Sequence, residues 1–172
     1  VWLQRYGADL GRGADGKFRV LGDRTQSPSG AGYALENRIV VSRTIPDVFG
    51  DCKVKRLAGF FRSMQENHRA LTPHNRDNPR IVLLTPGPYN ESYFEHAYLA
   101  RYLGYTLVEG ADLTVRDSRV YLKTLAGLQQ VDVIVRRQDD LFCDPLELKP
   151  DSALGIPGLL QAVFAGNVVV AN

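Results

Sequence analysis

Three clusters of polar residues have the types and spacing to do chemistry. Asp9 and Asp23 sit on two short strand-like runs joined by a turn. Carboxylates brought close across a hairpin can share a hard cation such as Mg²⁺, which prefers oxygen ligands; ordinary strand-end acids in water are the competing reading. Asn90 and Glu91, followed by Glu95 and His96, come after a Thr85-Pro86-Gly87-Pro88 turn. Polar groups at a helix N-terminus suit contact with an anion or substrate. Equally, Asn90 or Ser92 caps the helix and Glu95 completes a capping box with Ser92. Arg136-Arg137 precedes Asp139, Asp140 and Asp144. Paired arginines hold a carboxylate or phosphate through two parallel bonds, unless neighbouring aspartates consume them.

A fourth stretch, residues 25–32 (TQSPSGAG), is a loop of small residues whose backbone N–H groups can face an anion. Other chemistries find little support. His68, His74 and His96 have no ligand spacing with another His or Cys, which argues against zinc. Cys143 lacks a partner base and reads as a packed thiol. No phosphate-loop lysine motif or serine-hydrolase elbow occurs. Residues 11–16 match G-x-G-x-x-G, but the alternating run after them predicts a strand, so Asp15-Gly16 reads as a hairpin turn.

The elements that must position these residues follow from periodicity. Strands are expected over residues 1–10 and 17–23, and helices over 33–42 and 53–71, the latter with Val54, Leu57, Phe60, Phe61 and Met64 inward. Residues 72–79 (TPHNRDNP) read as a linker. Ile81-Val82-Leu83-Leu84 is an apolar, partly β-branched run suited to a strand buried on both faces. A helix from Ser92 follows, with Phe94, Tyr98, Leu99, Tyr102 and Leu103 on one stripe and Gly104 as C-cap. A strand at 106–109, a hairpin turning at Asp117-Ser118, a strand at 131–135, a helix over 152–164 and a last strand at 167–172 complete the pattern. Helices between strands predict an α/β fold with a mostly parallel, doubly wound layer. Ligands of such sheets sit beyond the strands' carboxyl ends, which places the first search at residues 86–91.

Of the 172 residues, 44% are hydrophobic and 23% charged, enough to bury a real core. A net charge of +2 gives no electrostatic case for nucleic acid or membrane. Two cysteines form no disulfide framework, so a reducing cytoplasm is the expected setting. The chain opens without Met inside a strand-like run and closes in another, which reads as a piece of a longer polypeptide.

These clusters lie in long, unusual strings: YGADLGRGADGKFRVLGDRTQSPSGAGYALENR, LLTPGPYNESYFEHAYLARYLGYTLVEGADLTVRD, VDVIVRRQDDLFCDPLEL and SALGIPGLLQAVFAGNVVVAN. Together they resemble the circularly permuted ATP-grasp proteins of bacteria, relatives of glutathionylspermidine synthase. The resemblance implies a Rossmann-like pre-ATP-grasp layer over residues 80–172, a partial ATP-grasp segment over 1–72 and a linker at 73–79. It implies ATP and Mg²⁺, an acyl-phosphate route, and carboxylate and amine (peptide-type) substrates. An all-helical partner domain and a transglutaminase-like protein are the partners it suggests.

Carried over by residue, the resemblance makes Asp9 and Asp23 metal ligands, Arg38 catalytic, and Ser29 and Gly30 nucleotide-binding, while Arg24, which departs from the family, is read as a catalytic residue that contacts phosphate directly. From the clusters themselves, Asn90, Glu91, Arg136, Arg137, Asp139 and Asp140 are the expected substrate-binding residues. Gly22-Asp23-Arg24 stands where the family carries Glu-Asp-Asn, which leaves only Asp23 of that triplet to hold metal. A noncatalytic binding or assembly module is the alternative this departure raises.

Overall fold

The computed structural model describes residues 3–73 and 77–172. Val1, Trp2, His74 and the centre of the expected linker lie outside the described residues. The chain starts with an antiparallel ribbon, β1 (Gly7–Arg12) and β2 (Phe18–Arg24). Gly16, at φ 77°, makes its turn, so the G-x-G-x-x-G stretch is a hairpin. The first strand is shorter than expected, because residues 3–6 run without strand pairing.

After the small-residue loop come α1 (Ala31–Thr44), α2 (Pro46–Asp51) and α3 (Ala58–Ala70). The single helix expected over 53–71 starts later, with Lys53 in the left-handed region. Pro46, pre-set for a first helical turn, opens the unexpected α2.

β3 (Ile81–Leu84) is buried on both faces, as its apolar run requires. α4 (Tyr93–Leu103) ends at Gly104, whose φ of 71° serves the C-cap, and β4 (Thr106–Val108) returns parallel to β3. Next comes an antiparallel meander of β5 (Leu113–Arg116), β6 (Arg119–Thr124) and β7 (Gly127–Gln130), the last unexpected. β8 (Val133–Arg136), a short α5 (Leu159–Phe164) and β9 (Val169–Ala171) follow. The helix expected from Ser152 is curtailed by Pro157-Gly158. The buried Asp144 accepts the Gly158 and Leu160 N–H groups at its start.

The second sheet is fully parallel, ordered β4-β3-β8-β9. Period-two alternation divides its residues between two cores. Val82, Leu84 and Ile134 pack with the meander and α5, and Leu83 packs with Leu35, Phe61, Leu99 and Leu103 of the helices. Each such side chain contributes about 1.5–3 kcal/mol by leaving water. No helix among the described residues is long and apolar enough to cross a membrane.

Candidate functional site

Strand order reverses between β3 and β8: β3 leads to β4 on one side, and β8 and β9 add on the other. Such a switch point splays the loops that leave neighbouring strands and opens a crevice at their carboxyl ends. A cavity of about 190 Å³ lies there, lined by Ser29, Asn90, Glu91, His96, Arg137 and Gln138, among others. It shares Gln26, Ser27 and Ser29 with a second cavity of about 280 Å³ that runs to Asp23 and Arg24.

The helix beside the crevice does not bury the aromatic stripe that periodicity suggests. Phe94 and Tyr102 are exposed, whereas Glu95 and His96 are buried with Leu99, Ala100 and Leu103. Glu95 makes no capping box. Its carboxylate accepts the Gly30 N–H at 2.8 and 2.9 Å and the Gly32 N–H at 2.9 Å. It also lies 3.7 Å from Arg5 and 3.8 Å from Arg137. The amides at the start of α1, a natural anion seat, are thus filled by the protein's own carboxylate. Asn90 shapes the entry to α4 by accepting the Ser92 N–H at 2.9 Å.

His96 Nδ1 meets the Thr85 hydroxyl at 2.9 Å, and Thr85 Oγ1 itself accepts from Gly87 N–H. Burial chiefly, helped by Arg137, brings the His96 pKa down to about 4, so a neutral imidazole lines the crevice at pH 7.

Arg136 and Arg137 separate in role. Arg136 donates to the Gln138 carbonyl at 2.8 Å. Arg137 donates through Nη2 to the Pro28 carbonyl at 3.0 Å. Its Nε and Nη1, shielded from water, have no hydrogen-bond partner among the described residues. Burial chiefly, then the Arg5 charge, lowers its pKa to about 10, leaving a cation at neutral pH. The aspartates turn elsewhere. Asp139 caps a short turn through the Leu141 N–H, and Asp140 accepts from Gln26 at 2.6 Å, the chief cause of its lowered pKa.

The ribbon keeps Asp9 and Asp23 apart. Asp9 pairs across from Gly22 and Asp23 from Ala8, so alternation sends the two carboxylates to opposite faces. Arg24, on the Asp9 face, clasps that carboxylate at 2.8–3.0 Å, and Tyr6 donates its hydroxyl to Asp23. The pair therefore does not fit one shared Mg²⁺. No group of three His, Cys, Asp or Glu among the described residues is arranged to hold a metal. Arg38 is elsewhere too, lining a separate cavity with Phe49, Arg56 and Tyr102. Two helical turns, roughly 12 Å at the rise per residue, separate it from Gly30.

Asn172 carries no sequence signal of importance, yet it joins the ribbon to β9. Its Oδ1 accepts the Gln4 and Arg5 N–H groups at 2.9 and 3.0 Å. Its Nδ2 donates to the Arg5 and Thr25 carbonyls at 2.6 and 2.8 Å.

Comparison with known proteins gives this site its context. Residues 1–172 match the family described as circularly permuted ATP-grasp type 2. The chain belongs to that family. An uncharacterised protein of Mycobacterium tuberculosis (strain ATCC 25618 / H37Rv) is 46% identical over 96% of this chain and 30% of its own length. One from Synechocystis is 44% identical over 100% of this chain and 36% of its own. The chain thus spans about a third of the length of these relatives. The mixed α/β architecture, with one parallel sheet and antiparallel hairpins, is consistent with an ATP-grasp-type fold. Such families generally use ATP and Mg²⁺.

Proposed function

We propose that the chain forms part of an ATP-dependent carboxylate–amine ligase of peptide type. On this reading residues 80–172 are the Rossmann-like pre-ATP-grasp layer, 1–72 a partial ATP-grasp segment and 73–79 the linker. Family membership supports the reaction class, and the observation that carries the reading is the polar crevice at the switch point, with the buried Arg137 in its lining.

In this class ATP supplies the phosphoryl group that activates a carboxylate, so that an amine can displace phosphate. The part of this chain is positioning and charge neutralisation. Arg137 is the arginine in the crevice lining, and Glu95, 3.8 Å from it and 3.7 Å from Arg5, is its counter-charge. The unpartnered donors of the buried Arg137 favour an anionic substrate. Ser29, Asn90, Glu91, Asp139 and the neutral His96 ring supply hydrogen-bonding groups at the same wall. Asp23, Arg24 and Ser29 line the adjoining cavity, where nucleotide phosphates would approach. An all-helical domain or a transglutaminase-like protein would act as partner.

Two observations favour a second reading, a noncatalytic binding or assembly module. Asp9 is held by Arg24, and the Gly30 and Gly32 amides are taken by Glu95. The deciding experiment follows Mg-dependent ATP consumption by the full-length protein across a panel of amino acids, short peptides and polyamines. Turnover that needs both an acid and an amine supports the ligase. Tight nucleotide binding without turnover supports the module.

A further inference from the structure

We infer that α1, α2, the start of α3 and Tyr102 of α4 form a second ligand site, separate from the crevice. Its ligand is a small amphiphilic anion, an apolar body carrying one oxyanion head. A cavity of about 350 Å³ lies among these helices, within the ~300–1,000 Å³ usual for small-molecule pockets. Helical spacing builds its main wall, for Leu35, Arg38, Ile39 and Ser42 share one face of α1. Phe49 of α2 and Leu57, at the entry to α3, extend the apolar lining.

Charge selects the occupant. Arg38 and Arg56 both line this cavity, and no Asp or Glu does. Neither arginine has a hydrogen bond or ion pair with another described residue. Arg38 is half-buried, whereas Arg56 is exposed and free to close on a bound head group. Ser42 commits its hydroxyl to the Ile39 carbonyl at 2.9 Å, which leaves the two cations as the main polar attraction. Guanidinium groups suit oxyanions. The field points the same way, since residues 31–70 carry seven Lys or Arg against four Asp or Glu. A bare anion would leave the apolar wall wet, and a neutral apolar molecule would leave two cations unmatched. An apolar body with an anionic head satisfies both.

The inference goes beyond the ligase reading and is tested by binding alone. Octyl sulfate, octanol and inorganic sulfate are titrated into the full-length protein at fixed ionic strength, below micelle-forming concentrations, following methyl signals by NMR. Octyl sulfate has no carboxylate for a ligase to activate, so the result is independent of ATP turnover. Expected is saturable octyl sulfate binding that shifts the Leu35, Ile39 and Leu57 methyl signals, with octanol and sulfate each weaker. Arg38→Gln and Arg56→Gln should each weaken it on the order of tenfold, the loss of about one charged hydrogen bond. Arg56 is exposed, so its variant decides the matter if Arg38→Gln does not fold. Octanol or sulfate binding as tightly as octyl sulfate overturns the assignment. So does the absence of saturable binding, undiminished binding in Arg56→Gln, or binding that leaves these methyl signals unmoved.

Discussion

The carboxylate of Glu95 accepts the backbone N–H of Gly30 with both oxygens, at 2.8 and 2.9 Å, across 65 residues of sequence. This contact fixes the small-residue loop against α4 and places Ser29 at the crevice wall. The charge at the start of α1 therefore belongs to the scaffold.

Replacing that carboxylate tests its weight. Glu95→Gln keeps the shape, removes the counter-charge to Arg5 and Arg137, and presents an NH₂ to N–H donors. Breaking a buried pair in this way costs about 3–5 kcal/mol. Urea denaturation should show the loss as a lower midpoint with an unchanged slope.

Gly32 tests how closely α1 and α4 approach. A Cβ there would meet Glu95 Cγ at 2.7 Å and Leu99 Cγ at 3.4 Å. Gly32→Ala should therefore destabilise by about 1–3 kcal/mol through overpacking. The thermal midpoint should fall although Ala is the better helix former. A rise would mean that the helices have room to part.

Acid sensitivity follows from the histidines. His68 and His96 titrate near 4 in the folded chain, against 6.5 unfolded, because burial disfavours the imidazolium. Between those values the unfolded state binds more protons, so stability rises with pH. Their contribution is complete above about pH 6.5 and is lost as pH falls through about 4. Denaturation midpoints should drop between pH 7 and pH 5, and His96→Asn should flatten that slope.

The ribbon register predicts independence of its two acids. Asp9→Ala releases Arg24 and Asp23→Ala releases the Tyr6 hydroxyl, on opposite faces. Effects of the two substitutions on Mg-dependent ATP binding should add in the double variant. A double variant no worse than either single one would show that the carboxylates act as one metal site.

Much of the framework was legible. Ile81-Val82-Leu83-Leu84 could be little else than a buried strand, and Gly104 ended α4 at the left-handed position it was expected to take. The crevice also lies beside the loop that strand direction singled out. Side-chain assignments read less well, for identifiable reasons. Glu95 looked like half of a capping box because local spacing cannot show a partner 65 residues away. Phe94 and Tyr102 drew the helical stripe toward solvent, since a hydrophobic pattern gives no weight to a face that buries Glu95 and His96. The Arg136-Arg137 pair was legible as a pair, but not that Arg136 would turn to the Gln138 carbonyl and Arg137 to the Pro28 loop and Glu95. Pro157-Gly158 was a visible break that the apolar run after it concealed.

Asn172 gives the ribbon a mechanical character. Its single amide grips the entering backbone at Gln4 and Arg5 and the leaving backbone at Thr25, while β1 and β2 contact chiefly each other. The hairpin is in effect a lever held at its base, by Asn172 and by the pairing of Arg5 with Glu95. A load on Phe18 and Leu21, exposed along the ribbon, would be carried down the second strand to Thr25 and on to Gln26 and Ser27 at the mouth of the crevice.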